Sequence, residues 1–347
     1  MNPHMPTCSR RSRLRRLATT VATLGLAALA LPAGSLALQD NSASVSASVR
    51  HRTLEVRGSS HADAVALRLK AGDPSTVEVD VGNDGSADFS FPRMQLSAID
   101  VKMGAGDDSV LIDDSNGSVD GSNGTFPAIP TTIAGGPGDD KLIGGAGAET
   151  LKGGAGNDAV VGGKGNDTAY LGGGNDTFGW DPGDGSDTIE GQDGTDAMVF
   201  NGAPAAENVN LSADHGHLKF VRDVGNVTMD THGVERVDFN ALGGSDHVTV
   251  NDLTGTDVTK VNLDLARTLA GSPGDVENVT VNGTNGDDTI NVAGNGSGAD
   301  VTGLAAAVSI VHADRNDTLT VNSLAGKDNV SATGVFGMQV SINPAVR

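Results

Sequence analysis

The chain has 347 residues, with 44 acidic and 23 basic side chains and a formal charge of −21. So acidic a chain, with 3% aromatic residues, is a poor match to nucleic acid and points to cation binding and solubility. Its single cysteine, Cys8, excludes an intrachain disulfide framework.

The first 37 residues hold five arginines and no acid. A basic run, Ser9–Arg16, precedes the apolar stretch Leu17–Leu31, which is short for a membrane span. Ser35-Leu36-Ala37 then fits a small-x-small cleavage site, so residues 1–37 read as an export signal peptide that leaves no membrane span in the mature chain. Ser9-Arg10-Arg11 with Leu14-Arg15 also resembles a twin-arginine export motif, with Arg13 where an aromatic is usual. Cleavage would remove Cys8, so an exported chain needs a staple other than a disulfide.

Residues 38–134 read as an N-terminal β-rich region. SVSASVRH and HADAVALRLK alternate like strands, and Thr76–Phe91 reads as a hairpin around the Asp84-Gly85 turn. Asp80, Asp84 and Asp88 there fit either a plain turn or a calcium loop.

From Gly135 the sequence falls into nine-residue units: GGPGDDKLI, GGAGAETLK, GGAGNDAVV, GGKGNDTAY, LGGGNDTFG and, after Trp180 and Asp181, PGDGSDTIE and GQDGTDAMV. The sixth position holds Asp140, Glu149, Asp158, Asp167, Asp176, Asp187 and Asp196. The eighth is apolar: Leu142, Leu151, Val160, Ala169, Phe178, Ile189 and Met198. Alternation in a short strand sends that one residue inward. Two units then close one 18-residue coil around a thin core, and turns two units apart stack on one edge. A cation between stacked turns meets carboxylate and carbonyl oxygens only, a donor set that favours calcium over zinc, copper or magnesium.

These residues resemble the RTX, or hemolysin-type, calcium-binding repeat family. The resemblance implies a right-handed parallel β-roll over residues 135–200. It implies that Asp140, Asp158, Asp167 and Asp176 bind calcium with carbonyls of the glycine turns, that Glu149, Asp187 and Asp196 join them, and that Asp139, Asn157, Asn166 and Asn175 at the fifth position assist. Seven turns stacked two apart leave at most five sites. The chain departs from the pattern at Glu149, at Leu171 in place of the first glycine, and at the Trp180-Asp181 insertion, which interrupts the phase of the last two turns.

Energetics point the same way. Residues 135–199 hold 12 acidic and 3 basic side chains and 20 glycines. Ordering a backbone costs about 1–2 kcal/mol per residue, glycine most. One inward apolar residue in nine does not offset that cost together with carboxylate repulsion, so this block is expected to fold on binding calcium.

Residues 201–347 form a C-terminal β-rich region with degenerate copies of the repeat. Like Asp108 in MGAGDDSVL, Asp246, Asp288, Asp317 and Asp328 precede alternating strands. Their irregular spacing suits wider coils or simple strand ends, and without adjacent partner turns they read as weak metal sites. The fold expected for the mature chain is all-β: a parallel β-roll/β-helix solenoid with wider, degenerate coils flanking the repeat.

Catalytic motifs are missing. There is no H-E-x-x-H, G-x-S-x-G or phosphate-loop lysine. Asp214-His215-Gly216-His217 with His232 reads as a solvated loop, with zinc as the alternative. Tyr170, Phe178 and Trp180 read as packing at the roll's edge, with a sugar-binding patch as the alternative. The leading expectation is a secreted calcium-binding repeat protein with a structural or binding role at or outside the cell surface, its partner an extracellular glycan or cell-surface component. Its rivals are an extracellular polysaccharide-acting enzyme and a calcium-dependent adhesin.

Overall fold

The computed structural model describes residues 45–122, 124–268 and 275–344; the segment read as an export signal, including Cys8, lies outside the described residues. No α-helix occurs among the described residues, only strands and three short 3-10 turns. None of the described helices is long and apolar enough to cross a membrane.

The strands form two 14-stranded sheets, and the chain passes from one to the other at almost every turn. In the repeat block Thr131–Pro137, Glu149–Ala155, Thr168–Gly174 and Thr188–Gly194 pair in parallel in the first sheet. Lys141–Ile143, Ala159–Val161, Thr177–Trp180 and Ala197–Asn201 pair in parallel in the second. Register stacks like on like: Leu151 lies between Ile133 and Ala169, and Val160 between Leu142 and Phe178. All seven eighth-position residues are buried. A one-residue slip would turn this apolar column outward, so burial fixes the register.

The flanks continue the same solenoid with wider coils. Two antiparallel meanders replace single strands. One, Asn208–Asp214, His217–Arg222 and Val227–His232, lies in the first sheet. The other, Thr289–Gly294, Ala299–Thr302 and Ala307–Val311, lies in the second. Each adds two strands to its own sheet; a third, Ala64–Lys70 with Asp73–Val81 and Phe89–Pro92, ends the second sheet, and the hairpin Ser46–Arg50 with Thr53–Arg57 ends the first. Where the first meander widens the interior, aromatic rings fill it. Trp180 stacks on Phe200 with centroids 4.0 Å apart, and Phe220 and Phe239 complete the cluster. Phe178 is buried too, and only Tyr170 of the three repeat aromatics reaches solvent. The sugar-binding patch is therefore not assembled.

The insertion at Trp180-Asp181 leaves the stacking intact. It lengthens one coil, so acids that are 18 residues apart before it, such as Asp140 and Asp158, are 20 apart across it, as in Asp176 and Asp196. Trp180 turns inward and donates its indole N–H to Gly185 O at 2.8 Å, closing the extra loop.

Candidate metal centre

Each sixth-position acid stands at or next to the start of a strand, so parallel stacking gathers these acids into two rows, one on each edge of the solenoid. On the first edge, the backbone N–H of Asp140 donates to Asp158 Oδ1 at 2.8 Å, that of Asp158 to Asp176 at 2.7 Å, and that of Asp176 to Asp196 at 2.8 Å. On the second, Glu149 N–H donates to Asp167 Oδ1 at 2.7 Å and Asp167 N–H to Asp187 at 2.9 Å. Each aspartate of these rows thus reaches back one coil with one oxygen, while Glu149 accepts from Gly145 N–H of its own unit.

The other oxygen has no partner. Oδ2 of Asp140, Asp158, Asp167, Asp176, Asp187 and Asp196, and Oε1 of Glu149, are buried and accept no hydrogen bond. A buried carboxylate oxygen without a donor costs about 1–3 kcal/mol or more. Burial, followed by neighbouring carboxylates, pushes Asp167 and Asp158 up to about 7 and Asp187 to about 8. An amide row has no such problem, because an amide both donates and accepts. In the C-terminal half Asn210, Asn251, Asn282, Asn322 and Asn343 form a row in which each donates to the one before, at 2.8–3.3 Å. A row of ionised carboxylates cannot close on itself in this way, because its oxygens only accept, and it would be completed by a cation.

Glycine makes the room for it. A Cβ on Gly135 would lie 2.0 Å from Asp140 Oδ2, on Gly153 2.3 Å from Asp158 Oδ2, and on Gly162 2.4 Å from Asp167 Oδ2. The first glycine of a unit therefore stands beside the unpartnered oxygen of its own acid. In units such as GGAGNDAVV, the second and fourth glycines, Gly154 and Gly156, have positive φ and lie on the carbonyls of the turn below; a Cβ on Gly154 would be 2.0 Å from Gly136 O and one on Gly156 2.0 Å from Gly138 O. Among the described residues no three His, Cys, Asp or Glu side chains converge on one point. Any ion on these edges would take one or two carboxylates and backbone carbonyls. That hard, flexible oxygen set fits calcium and gives a soft metal no thiolate or imidazole.

The fifth-position residues do something else. Asp139, Asn157, Asn166 and Asn175 are exposed and accept from the backbone one coil further on, as Asp139 Oδ1 does from Asn157 N–H at 2.7 Å. They clamp successive turns instead of pointing at the unpartnered oxygens.

The rows also extend beyond the nonapeptides, which corrects the reading that the degenerate acids lack partner turns. Asp63 N–H donates to Asp108 Oδ1 and Asp108 N–H to Asp140 Oδ1. Glu207 N–H donates to Asp246, Glu277 N–H to Asp317 and Asp288 N–H to Asp328, across 39 or 40 residues. Asp63, Asp120, Glu207, Glu235 and Glu277 were not singled out from sequence. Asp63, Glu207, Glu235 and Glu277 each directly precede an alternating strand, a signal that local repeat spacing hid. At Glu207 the cation is built in: Arg222 Nε donates to Glu207 Oε1 at 2.7 Å, both side chains being buried. Asp80, in the possible calcium loop, is likewise held by Arg68 Nη1 at 2.6 Å and by the N–H groups of Asp84 and Gly85, and is a turn. The zinc alternative is not assembled either. His217 and His232 lie 5.1 Å apart, but their Nδ1 atoms face Asp230 and Glu190, and His215 is exposed beside Asp214.

Fold and edges together define a parallel β-solenoid with glycine-lined acidic rows. The chain matches the family described as RTX calcium-binding nonapeptide repeat (4 copies) over residues 131–160, 143–178 and 183–202. It thus carries RTX calcium-binding repeats. No curated protein matches the chain.

Proposed function

We propose that this protein is an exported calcium-binding β-solenoid whose coils are completed by calcium, with a structural or binding role at or outside the cell surface. The row of buried carboxylate oxygens that accept no hydrogen bond carries the reading. When bound, calcium supplies the positive charge that completes the rows. Asp140, Asp158, Asp176 and Asp196 would hold it on one edge and Glu149, Asp167 and Asp187 on the other, with carbonyls of the stacked glycine turns. The chain's own contribution is to pre-align those oxygens by the backbone hydrogen bonds that tie each acid to the coil below. Low calcium inside a cell would leave the block loosely ordered, and high calcium outside would order it. The signal-like residues 1–37 support export, and the absence of catalytic motifs supports a binding or structural role.

Isothermal titration with calcium, and with magnesium as comparison, tests the reading. Several calcium ions are expected to bind per chain, with magnesium binding far more weakly. No heat of binding with calcium would overturn it.

The pH dependence is expected to differ with and without the ion. Asp158 and Asp167 are held at about 7 in the folded chain against an ordinary 3.8, with burial as the main cause. Between about pH 4 and 7 the folded metal-free chain holds protons that the unfolded chain has released, so its stability falls as pH rises through that window. Calcium needs the ionised forms, so its stabilisation falls as pH drops below about 7. Thermal melts in chelator should therefore run higher at pH 5 than at pH 8, and the order should reverse in excess calcium. A metal-free melt that rises with pH would contradict this assignment.

A further inference from the structure

We propose that Asp120 and Glu149 together form a calcium site outside the nonapeptide pattern, at the N-terminal end of the second acidic edge. The inference rests on the calcium reading above and adds a ligand pair that the repeat does not supply.

At every other sixth-position acid of the repeat block, the carboxylate reaches back and accepts the N–H of the acid one coil below. Below Glu149 there is no nonapeptide. The chain instead runs from the strand Ser109–Asp113 through a long loop to Thr131–Pro137. That loop delivers Asp120, which is fully buried, and Glu149 is 2% exposed. The loop is pinned on both sides of it: Ile129 N–H donates to Asp120 O, Ser118 Oγ accepts from Gly121 N–H at 2.6 Å, and Arg93 Nη2 donates to Gly121 O at 2.8 Å.

The two carboxylates lie against each other, close enough to share a proton. Ala146 N–H donates to Asp120 Oδ1 at 3.3 Å and Gly145 N–H to Glu149 Oε2 at 2.9 Å. Asp120 Oδ2 and Glu149 Oε1 accept nothing. Arg93, whose charge attracts Asp120, donates from Nη2 to the carbonyls of Gly121 and Pro127, and its buried Nε and Nη1 donate to nothing, Asp120 included. Glycines face both acids. A Cβ on Gly147 would lie 2.4 Å from Glu149 Oε1 and 3.2 Å from Asp120 Oδ1, and one on Gly145 would lie 2.7 Å from Asp120 Oδ2.

Two buried acceptors facing each other need either a shared proton or a cation. A hard divalent ion satisfies both unpartnered oxygens at once, in the chemistry the rest of the edge already presents. The assignment also accounts for the one glutamate among the sixth-position acids. Its extra methylene lets it reach a carboxylate presented by a loop instead of by a stacked turn.

The test is the number of calcium ions retained per chain after dialysis at saturating free calcium, counted by elemental analysis. Asp120→Asn keeps the shape and removes the charge, and is expected to retain one ion fewer than the parent. Glu149→Asp, which restores the repeat pattern, is also expected to retain one fewer, because the shorter side chain falls short of Asp120. An unchanged count in Asp120→Asn overturns the proposal in favour of a shared proton. Should that variant fail to fold, an unchanged count in Glu149→Asp overturns it equally. A parent chain that retains no calcium would instead remove the underlying calcium reading.

Discussion

Gly154→Ala is expected to destabilise the solenoid by about 3 kcal/mol or more, whereas Gly173→Ala, in the next coil, should be nearly silent. Gly154 sits at φ +129°, and a Cβ there would lie 2.0 Å from Gly136 O, a backbone atom that cannot swing away. The left-handed conformation costs a side chain about 1–2 kcal/mol, and overpacking adds about 1–3. Gly173 has no atom within 4 Å of its Cβ position, and Ala155, its partner in the register, already carries a methyl group. Thermal melts in calcium compare the two. Equal effects would mean that the glycines serve flexibility alone and that the turns are not stacked on one another's carbonyls.

Arg222→Met is expected to cost about 3–5 kcal/mol, because it strands Glu207 as an unpaired charge in a buried site. Glu207 Oε1 accepts from Arg222 Nε at 2.7 Å and from Ala203 N–H at 3.1 Å, and the arginine also stands 5.2 Å over the Trp180 ring. The double variant Arg222→Met with Glu207→Gln should recover much of the loss, since it removes the charge that the single variant strands. Denaturant midpoints of the single and double variants measure this. A single variant within about 0.5 kcal/mol of the parent would show that the pair does not anchor the first meander, and that its burial is incidental.

Successive regions of the solenoid meet the same problem differently. Along the repeats, the acids accept from backbone and leave an oxygen over. Near the first meander, Arg222 neutralises Glu207. Further on, the acid row continues through Asp246 and Asp317, while a separate row of asparagines near the strand ends closes on itself. Buried carboxylate oxygens without a hydrogen-bond donor nevertheless persist beyond the repeat block, at Glu207, Asp246 and Asp328.

What was legible in the sequence follows from periodicity. The nine-residue phase set the parallel sheets, the inward column from Leu142 to Met198, and the alternation of acids between two edges. The partners of Asp108, Asp246 and Asp317 were not legible in that way. Their turns are separated by 32 to 40 residues of hairpin, meander or loop, so contact depends on tertiary stacking and not on a fixed spacing. Asp120 was hidden for the same reason, since nothing around it repeats. The insertion at Trp180 looked disruptive because phase was the only guide. The ring's place in the aromatic cluster gives the extra residues a reason to fold inward. The fifth-position asparagines illustrate the reverse. Spacing put them beside the acids, and the alternation of side-chain direction sent them to the backbone outside.

Calcium-coupled folding is tested by far-UV circular dichroism at neutral pH, on the chain stripped of metal by chelator and then titrated with calcium, with magnesium as control. The expected result is a weak β signal in chelator that rises cooperatively with calcium and not with magnesium. A full β signal in chelator, unmoved by calcium, would contradict it. The apolar column and backbone ladders would then hold the coils without the ion.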